Sequence, residues 1–261
     1  MSRPRRRFGQ HFLHDPAVIE RIVASIGPAG GDHLLEIGPG RGVLTRALLA
    51  SPLASLDAIE IDRDLVALLQ QGFAADARFA VHCADALQVD FRELADRHGA
   101  RLRLVGNLPY NISTPLLFHI IGQADCIEDL HVMLQREVVA RIAASPGSQA
   151  YGRLTVMLAP WTDAQRLFDV GPGAFQPPPR VWSALVRLQI RREPRFVVHP
   201  QYGAVVAAAF SQRRKTLRNA LKRFLTADQI AACGIEPGVR PETVAPEGFN
   251  RLAEATGAAI G

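Results

Sequence analysis

With 261 residues, 48% of them apolar, the chain can bury an α/β core and still carry a small second domain. It shows no membrane or secretory segment: the basic start runs into Phe8-Gly9-Gln10-His11, the longest apolar stretches resemble Ala204 to Phe210, and Cys83, Cys126 and Cys233 form no CxxC pair, so a disulfide frame and a structural zinc are not expected and a reducing, cytoplasmic setting is. The net charge of +5 is unevenly spread, with Arg3, Arg5, Arg6 and Arg7 at one end, ten basic residues against Glu193 alone between 187 and 223, and a net acidic remainder, which is the footprint of a polyanion binder.

In chain order, Leu34 to Ile37 predicts a short strand entering a glycine turn, and Val43 to Leu49 a helix stopped by Ser51-Pro52. Leu56 to Ile61 predicts a second strand rich in acids at its end, Asp64 to Gln71 a helix, and Phe79 to Cys83 a third strand leading to Asp85. Leu102 to Val105 reads as the fourth strand, after which Ser113 or Thr114 can cap a helix with Pro115 in its first turn. Leu130 to Leu134, Leu154 to Leu158 and Val181 to Leu188 read as further strands. Strands alternating with helices imply a mostly parallel, Rossmann-like sheet with ligands at the carboxyl ends of the strands.

A boundary is expected near Arg191 to Pro194, giving a catalytic domain over 1–193, with a basic arm at 1–13, and a helical domain over 194–261. In the second domain Tyr202 to Phe210 reads as a helix, and Ser211 as the cap of another reaching Leu225. There Leu217, Leu221 and Phe224 recur at helical spacing, while Arg214, Lys215, Arg218 and Lys222 share a neighbouring face suited to RNA phosphates.

The glycine turn is Glu36-Ile37-Gly38-Pro39-Gly40-Arg41-Gly42. Its GxGxG spacing departs from the dinucleotide fingerprint, and Glu36 would repel a pyrophosphate but attract the ammonium of a methionine moiety. Gly38 and Gly40 let the backbone approach a ligand closely. Glu60 can accept two ribose hydroxyls, and Asp85 lies within reach of an adenine amine. Three acids at three successive strand ends suit S-adenosylmethionine, a cationic ligand.

The fourth strand runs into Asn107-Leu108-Pro109-Tyr110. An exocyclic amine such as adenine N6 is a weak nucleophile because its lone pair is delocalised into the ring. The Asn107 side-chain oxygen and the Leu108 carbonyl can accept its two hydrogens, Pro109 stiffens the turn and removes a competing donor, and Tyr110 offers a stacking face. No general base and no metal are required.

These motifs resemble the ribosomal RNA adenine N6,N6-dimethyltransferases, most closely the bacterial 16S branch whose loss confers kasugamycin resistance. Arg7 to Leu13 is similar to the family's RFGQNFL, Glu36 to Gly42 to its cofactor loop, Asn107 to Tyr110 to its NLPY, Phe175 to Val181 to its FxPPPKV, and Phe210 to Leu221 to its FxxRRKTLRNxL. The resemblance implies a Rossmann-like methyltransferase domain with a small C-terminal helical domain. It assigns His11, Leu13, Gly38, Glu60, Asp85 and Asn107 to S-adenosylmethionine, with S-adenosylhomocysteine as product, and sets Tyr110 and Phe175 on either side of the target adenine. His11 stands where the family has Asn, and Arg180 where it has Lys. The implied reaction is dimethylation of two adjacent adenosines in the 3′-terminal hairpin loop of 16S rRNA, within an immature 30S subunit, by a protein that is monomeric off the ribosome. Two other readings stay open: a non-catalytic RNA-binding assembly or transcription factor on the same fold, and a relative acting on 23S RNA, against which the FQPPPRV and RRKTLRN segments argue.

Overall fold

In the computed structural model, which describes residues 11–212 and 214–257, the apolar runs assemble into one seven-stranded sheet. The strands are β1 (Phe12–Leu13), β2 (His33–Ile37), β3 (Ser55–Glu60), β4 (Phe79–Cys83), β5 (Leu102–Asn107), β6 (Ile127–Gln135), β7 (Thr162–Val170), β8 (Phe175–Gln176) and β9 (Ser183–Ile190). Their order in the sheet is β4-β3-β2-β5-β6-β9-β7, and β1 pairs separately with β8. β4 through β6 are parallel, whereas β9 runs antiparallel to β6. The central strands carry apolar residues on both faces, with Leu34, Leu35, Leu104 and Val105 fully buried, as expected where helices cover a parallel sheet on both sides.

The connecting helices start and stop on local signals. Asp15, Asp62 and Asp90 cap the helices Pro16–Ile26, Arg63–Gly72 and Phe91–His98 by accepting backbone N–H groups, and Gly27 and Gly99 end two of them in the left-handed region. One glycine decides how closely two strands approach: Gly106 has φ of 155°, and a Cβ there would lie 2.4 Å from the Ile37 carbonyl oxygen. Only glycine lets β5 press against β2 at the level just before Asn107.

The chain divides into two compact units, one running through Val139 and resuming at Asp163–Ile190, the other comprising Ala140–Thr162 and everything from Arg191 onward. Residues 140–162, assigned to the first domain from sequence, therefore belong with the C-terminal unit. Leu154 to Leu158, read as a strand, lies in the helix Arg153–Leu158. It packs in the second unit's core, where the Tyr202 hydroxyl donates to the Val156 carbonyl at 2.8 Å and the Tyr151 hydroxyl to that of Val244 at 2.8 Å. The helix expected from Ser211 to Leu225 shrinks to Leu217–Ala220, because the Leu217 and Arg218 amides bond to the Val239 and Pro237 carbonyls of another segment. Leu217 and Leu221 are nonetheless fully buried, in keeping with their spacing. The helix Ser113–Ile121 has Ile112 at its cap position without a side-chain bond, and the Ser113 hydroxyl donates instead to the Tyr110 carbonyl at 3.1 Å.

Candidate active site

The carboxyl ends of β2, β3, β4 and β5 open onto one cavity, lined among others by His11, Leu13, Glu36, Gly38, Gly40, Glu60, Asp85 and Asn107 to Tyr110. The structure thus gathers the predicted cofactor residues, from segments up to about a hundred positions apart, into a single place at the strand ends. Gly38, Gly40 and Gly42 all have positive φ, between 58° and 75°, and Gly42 has no room for a side chain beside Phe73 and Leu69.

Glu36 is 2% exposed, and its carboxylate accepts a 2.6 Å hydrogen bond from the Thr45 hydroxyl. Burial pushes its pKa up to about 7, with a smaller contribution from the neighbouring negative charge of Glu60, while the Thr45 bond opposes the shift. Glu60 is also raised by burial, against the backbone N–H groups of Asp62 and Gly40, which donate to it at 3.0 and 3.3 Å. Both acids are thus met by neutral donors, and a cation arriving in the cavity would favour their ionised forms. Asp85 is half-buried, and one of its oxygens accepts the Leu87 amide at 3.0 Å.

At the other side of the cavity, the Asn107 side-chain NH2 donates to the His11 carbonyl at 2.9 Å. A carbonyl can only accept, so this contact fixes the amide's orientation and leaves Oδ1 as an acceptor on a cavity-lining residue. The Leu108 amide donates to the Met133 carbonyl and the Ile112 amide to that of Pro109, each at 3.2 Å, so the turn is tied down on both sides of the proline. The half-buried Tyr110 shares a 2.6 Å hydroxyl–hydroxyl hydrogen bond with Ser183, and burial raises its pKa. The His11 ring stacks on Tyr110 at 5.7 Å, and its Nδ1 donates to the Pro177 carbonyl at 2.8 Å. The histidine that replaces the family Asn therefore serves the corner through its backbone carbonyl and its ring.

Phe175 behaves differently from expectation. It is 2% exposed and packs in the apolar core with Leu13, Phe168, Ala174 and Leu185, so its ring presents no face to a base. Its backbone pairs with Leu13, which holds the segment carrying His11 against the rest of the unit. Arg214, Arg218 and Lys222 are exposed and Lys215 half-buried, all in the second unit. There Lys215, Lys222 and Arg223 line a shallow depression with Gln212, Asn219 and Phe224. Residues 1–10, including the arginines of the arm, and Arg213 lie outside the described residues.

Sequence reasoning missed several contributors to the cavity. Thr45 orients Glu36, and Ile61 and Val43 line the cavity although 46% and 37% exposed, so they offer apolar contact to a flat ring. Exposed branched apolar residues directly after a strand-end acid and a glycine turn were the available signal. Ser183 could not be found this way, because its contact with Tyr110 spans 73 positions. Among the described residues, no group of three or more His, Cys, Asp or Glu is arranged to hold a metal ion, and no helix is long and apolar enough to cross a membrane.

A parallel sheet with acids at successive strand ends, a glycine turn between them and an anchored Asn-Leu-Pro-Tyr corner defines a methyltransferase of the Rossmann-like class. The solved structures agree: the 23S rRNA methyltransferase ErmE superposes with a TM-score of 0.73 at 27% identity, covering 94% of this chain and 99% of that one. A dimethyladenosine transferase from Plasmodium falciparum gives 0.77 at 22% identity, covering 93% and 96%. The model of the ribosomal RNA adenine dimethylase family matches residues 1–256, and the chain belongs to that family. It is 58% identical over 240 residues, 92% of each chain, to the ribosomal RNA small subunit methyltransferase A of Methylococcus capsulatus.

Proposed function

We propose that this protein uses S-adenosylmethionine to dimethylate the N6 amines of two adjacent adenosines in the 3′-terminal hairpin loop of 16S rRNA, in the cytoplasm, on an immature small subunit. Membership of the adenine dimethylase family and the small-subunit activity named for its relatives support this reading. The observation that carries it is the Asn107 amide, turned by the His11 carbonyl so that Oδ1 is left to accept.

The residues present fit the cofactor. Glu36 is a buried acid with a pKa raised to about 7 and a neutral hydrogen-bond partner, so an ammonium group would complete its coordination. Glu60 would hold the ribose hydroxyls and Asp85 the adenine amine, with Ile61 and Val43 against the ring and His11, Leu13, Gly38 and Gly40 closing the cradle. When bound, the cofactor supplies a methyl group already activated by its positive sulfur.

The remaining work is done by the chain. Asn107 Oδ1 and the Leu108 carbonyl accept the two amine hydrogens, which draws the lone pair out of the adenine ring and aims it. Pro109 adds no N–H that could compete for that lone pair. Tyr110 holds the base by stacking, fixed through Ser183. A loop base needs little unstacking energy to enter such a site. Each transfer leaves the nitrogen briefly cationic and strongly acidic, so it releases one proton to water. After the first transfer the amine has one hydrogen fewer to donate, and the second proceeds on the remaining bond. Arg214, Lys215, Arg218 and Lys222 would engage RNA phosphates from the helical unit. The protein would act as a monomer off the ribosome.

The test is methyl incorporation into small subunits from cells lacking this protein, followed by mass spectrometry of the hairpin. Doubly methylated adenosines are expected. Cofactor binding without incorporation would favour a non-catalytic RNA-binding factor, and modification confined to 23S RNA would favour the other branch.

A further inference from the structure

Trp182 is 49% exposed and Val181 before it 44%, an unusual pair of large apolar groups for a surface loop. The next residue, Ser183, is fully buried and holds the Tyr110 hydroxyl at 2.6 Å. Strand order extends the same relation. Asn107 pairs with Met133, and Gln135 with Ser183, so Trp182 stands at the active-site end of the sheet, two strands from Asn107 (roughly 10 Å across by strand spacing) and three residues further along (roughly another 10 Å by strand rise). A flanking nucleotide splayed out of its strand would cover that gap.

The surroundings are basic. The Arg136 amide donates to the Trp182 carbonyl at 2.9 Å, and its guanidinium lies 5.8 Å from the ring centre, at the outer limit of a cation–π contact. Arg180 is exposed two residues before the tryptophan. Arg166 and Arg136 both reach Asp169, at 2.5 and 3.9 Å, so Arg136, Arg166 and Arg180 outnumber Asp169 and the exposed Glu137. Gly171 borders the indole closely enough that a Cβ there would meet the ring at 3.7 Å, an ordinary contact distance. An apolar ring with guanidinium groups beside it is the chemistry that takes a nucleobase and its phosphate, and the RNA substrate presents both together.

We propose that Trp182, flanked by Arg136 and Arg180, is a stacking platform for a nucleotide next to the target adenosine, which positions the target over Tyr110. The proposal rests on the RNA-methylation reading. It makes Trp182 a positioning residue and not a catalytic one.

The experiment compares the unaltered protein with Trp182→Phe and Trp182→Leu, using undermethylated small subunits. Trp182→Phe keeps a stacking face and should retain binding. Trp182→Leu keeps apolar bulk alone and should raise KM about tenfold with kcat at saturation little changed. Ultraviolet cross-linking of the unaltered complex should attach Trp182 to a nucleotide adjoining the methylated one. Equal KM values for the Phe and Leu variants, or a cross-link to a ribosomal protein in place of RNA, would overturn the platform. Failure of the underlying reading is separately visible, because the unaltered protein would then incorporate no methyl groups into the RNA.

Discussion

Towards the amino-terminal ends of the strands, buried carboxylates sit against basic groups. Asp57 takes His82 at 2.6 Å and His98 at 2.7 Å, and Asp129 takes two nitrogens of Arg103 at 3.0 and 3.1 Å, while Arg103 also reaches Asp32 at 2.6 Å. Both Asp57 and Asp129 have lowered pKa values: burial opposes the shift, and it is outweighed by the hydrogen bonds from His82 and His98 to Asp57, and by the nearby His131 ring together with the Arg103 hydrogen bonds at Asp129. At the carboxyl ends the same sheet buries Glu36 and Glu60 against hydroxyl and backbone donors, and burial raises both. One end has its basic partners built in. The other holds acids that a cationic ligand would stabilise, and that difference marks the ligand end on electrostatic grounds alone.

Substitutions should separate the two ends. Asp129→Asn leaves part of a buried ion network unmatched and should cost about 3–5 kcal/mol of stability with cofactor affinity unchanged, measured by denaturant unfolding and calorimetry. Loss of cofactor affinity in step with stability would erase the distinction. Asn107→Ala should raise the transfer barrier by roughly 2–4 kcal/mol in single-turnover assays while RNA affinity holds, because it removes an acceptor used in the transition state. Unchanged turnover would remove the corner from the mechanism.

Glu36→Gln should have the opposite sign on stability. A raised carboxyl pKa contributes stability that is fully present below the unfolded value of 4.5 and lost as pH rises through about 7. The ligand-free variant should therefore match or slightly exceed the parent in melting temperature at pH 7.5 and lose less stability between pH 5 and 7.5. The smallest effects belong to the helical unit, where Arg214→Ala and Lys222→Ala should each flatten the salt dependence of RNA binding by about one unit of slope for each phosphate no longer neutralised. An unaltered slope would remove those side chains from the interface.

Much of this architecture is legible because the signals are local. Leu34 to Ile37, Phe79 to Cys83 and Leu102 to Val105 are short apolar runs bounded by turns, and the residues following them name the strand ends directly. Leu154 to Leu158 shows the limit of that approach. Leu-Thr-Val-Met-Leu has no period that separates a buried helix from a strand, and packing against Tyr202 decides it. The Ser211 to Leu225 helix fails for a related reason, since backbone bonds to Pro237 and Val239 compete with helix continuation. Phe175 misleads because its motif sits beside the site, while its ring turns into the core with Leu13 and Leu185. Conversely, the Asn107–His11 contact spans 96 positions and is visible only in three dimensions, although the sequence motifs name both residues.

The most direct test of the electrostatic argument is calorimetric titration of the protein with S-adenosylmethionine at pH 5.5 and pH 7.5, repeated on Glu36→Gln. Affinity of the unaltered protein should rise as pH climbs toward the Glu36 pKa of about 7, by up to roughly tenfold per unit, and the variant should bind weakly with this dependence abolished. Equal affinity at both pH values, or a pH dependence that survives in Glu36→Gln, would contradict the claim that the strand-end acids await a cation.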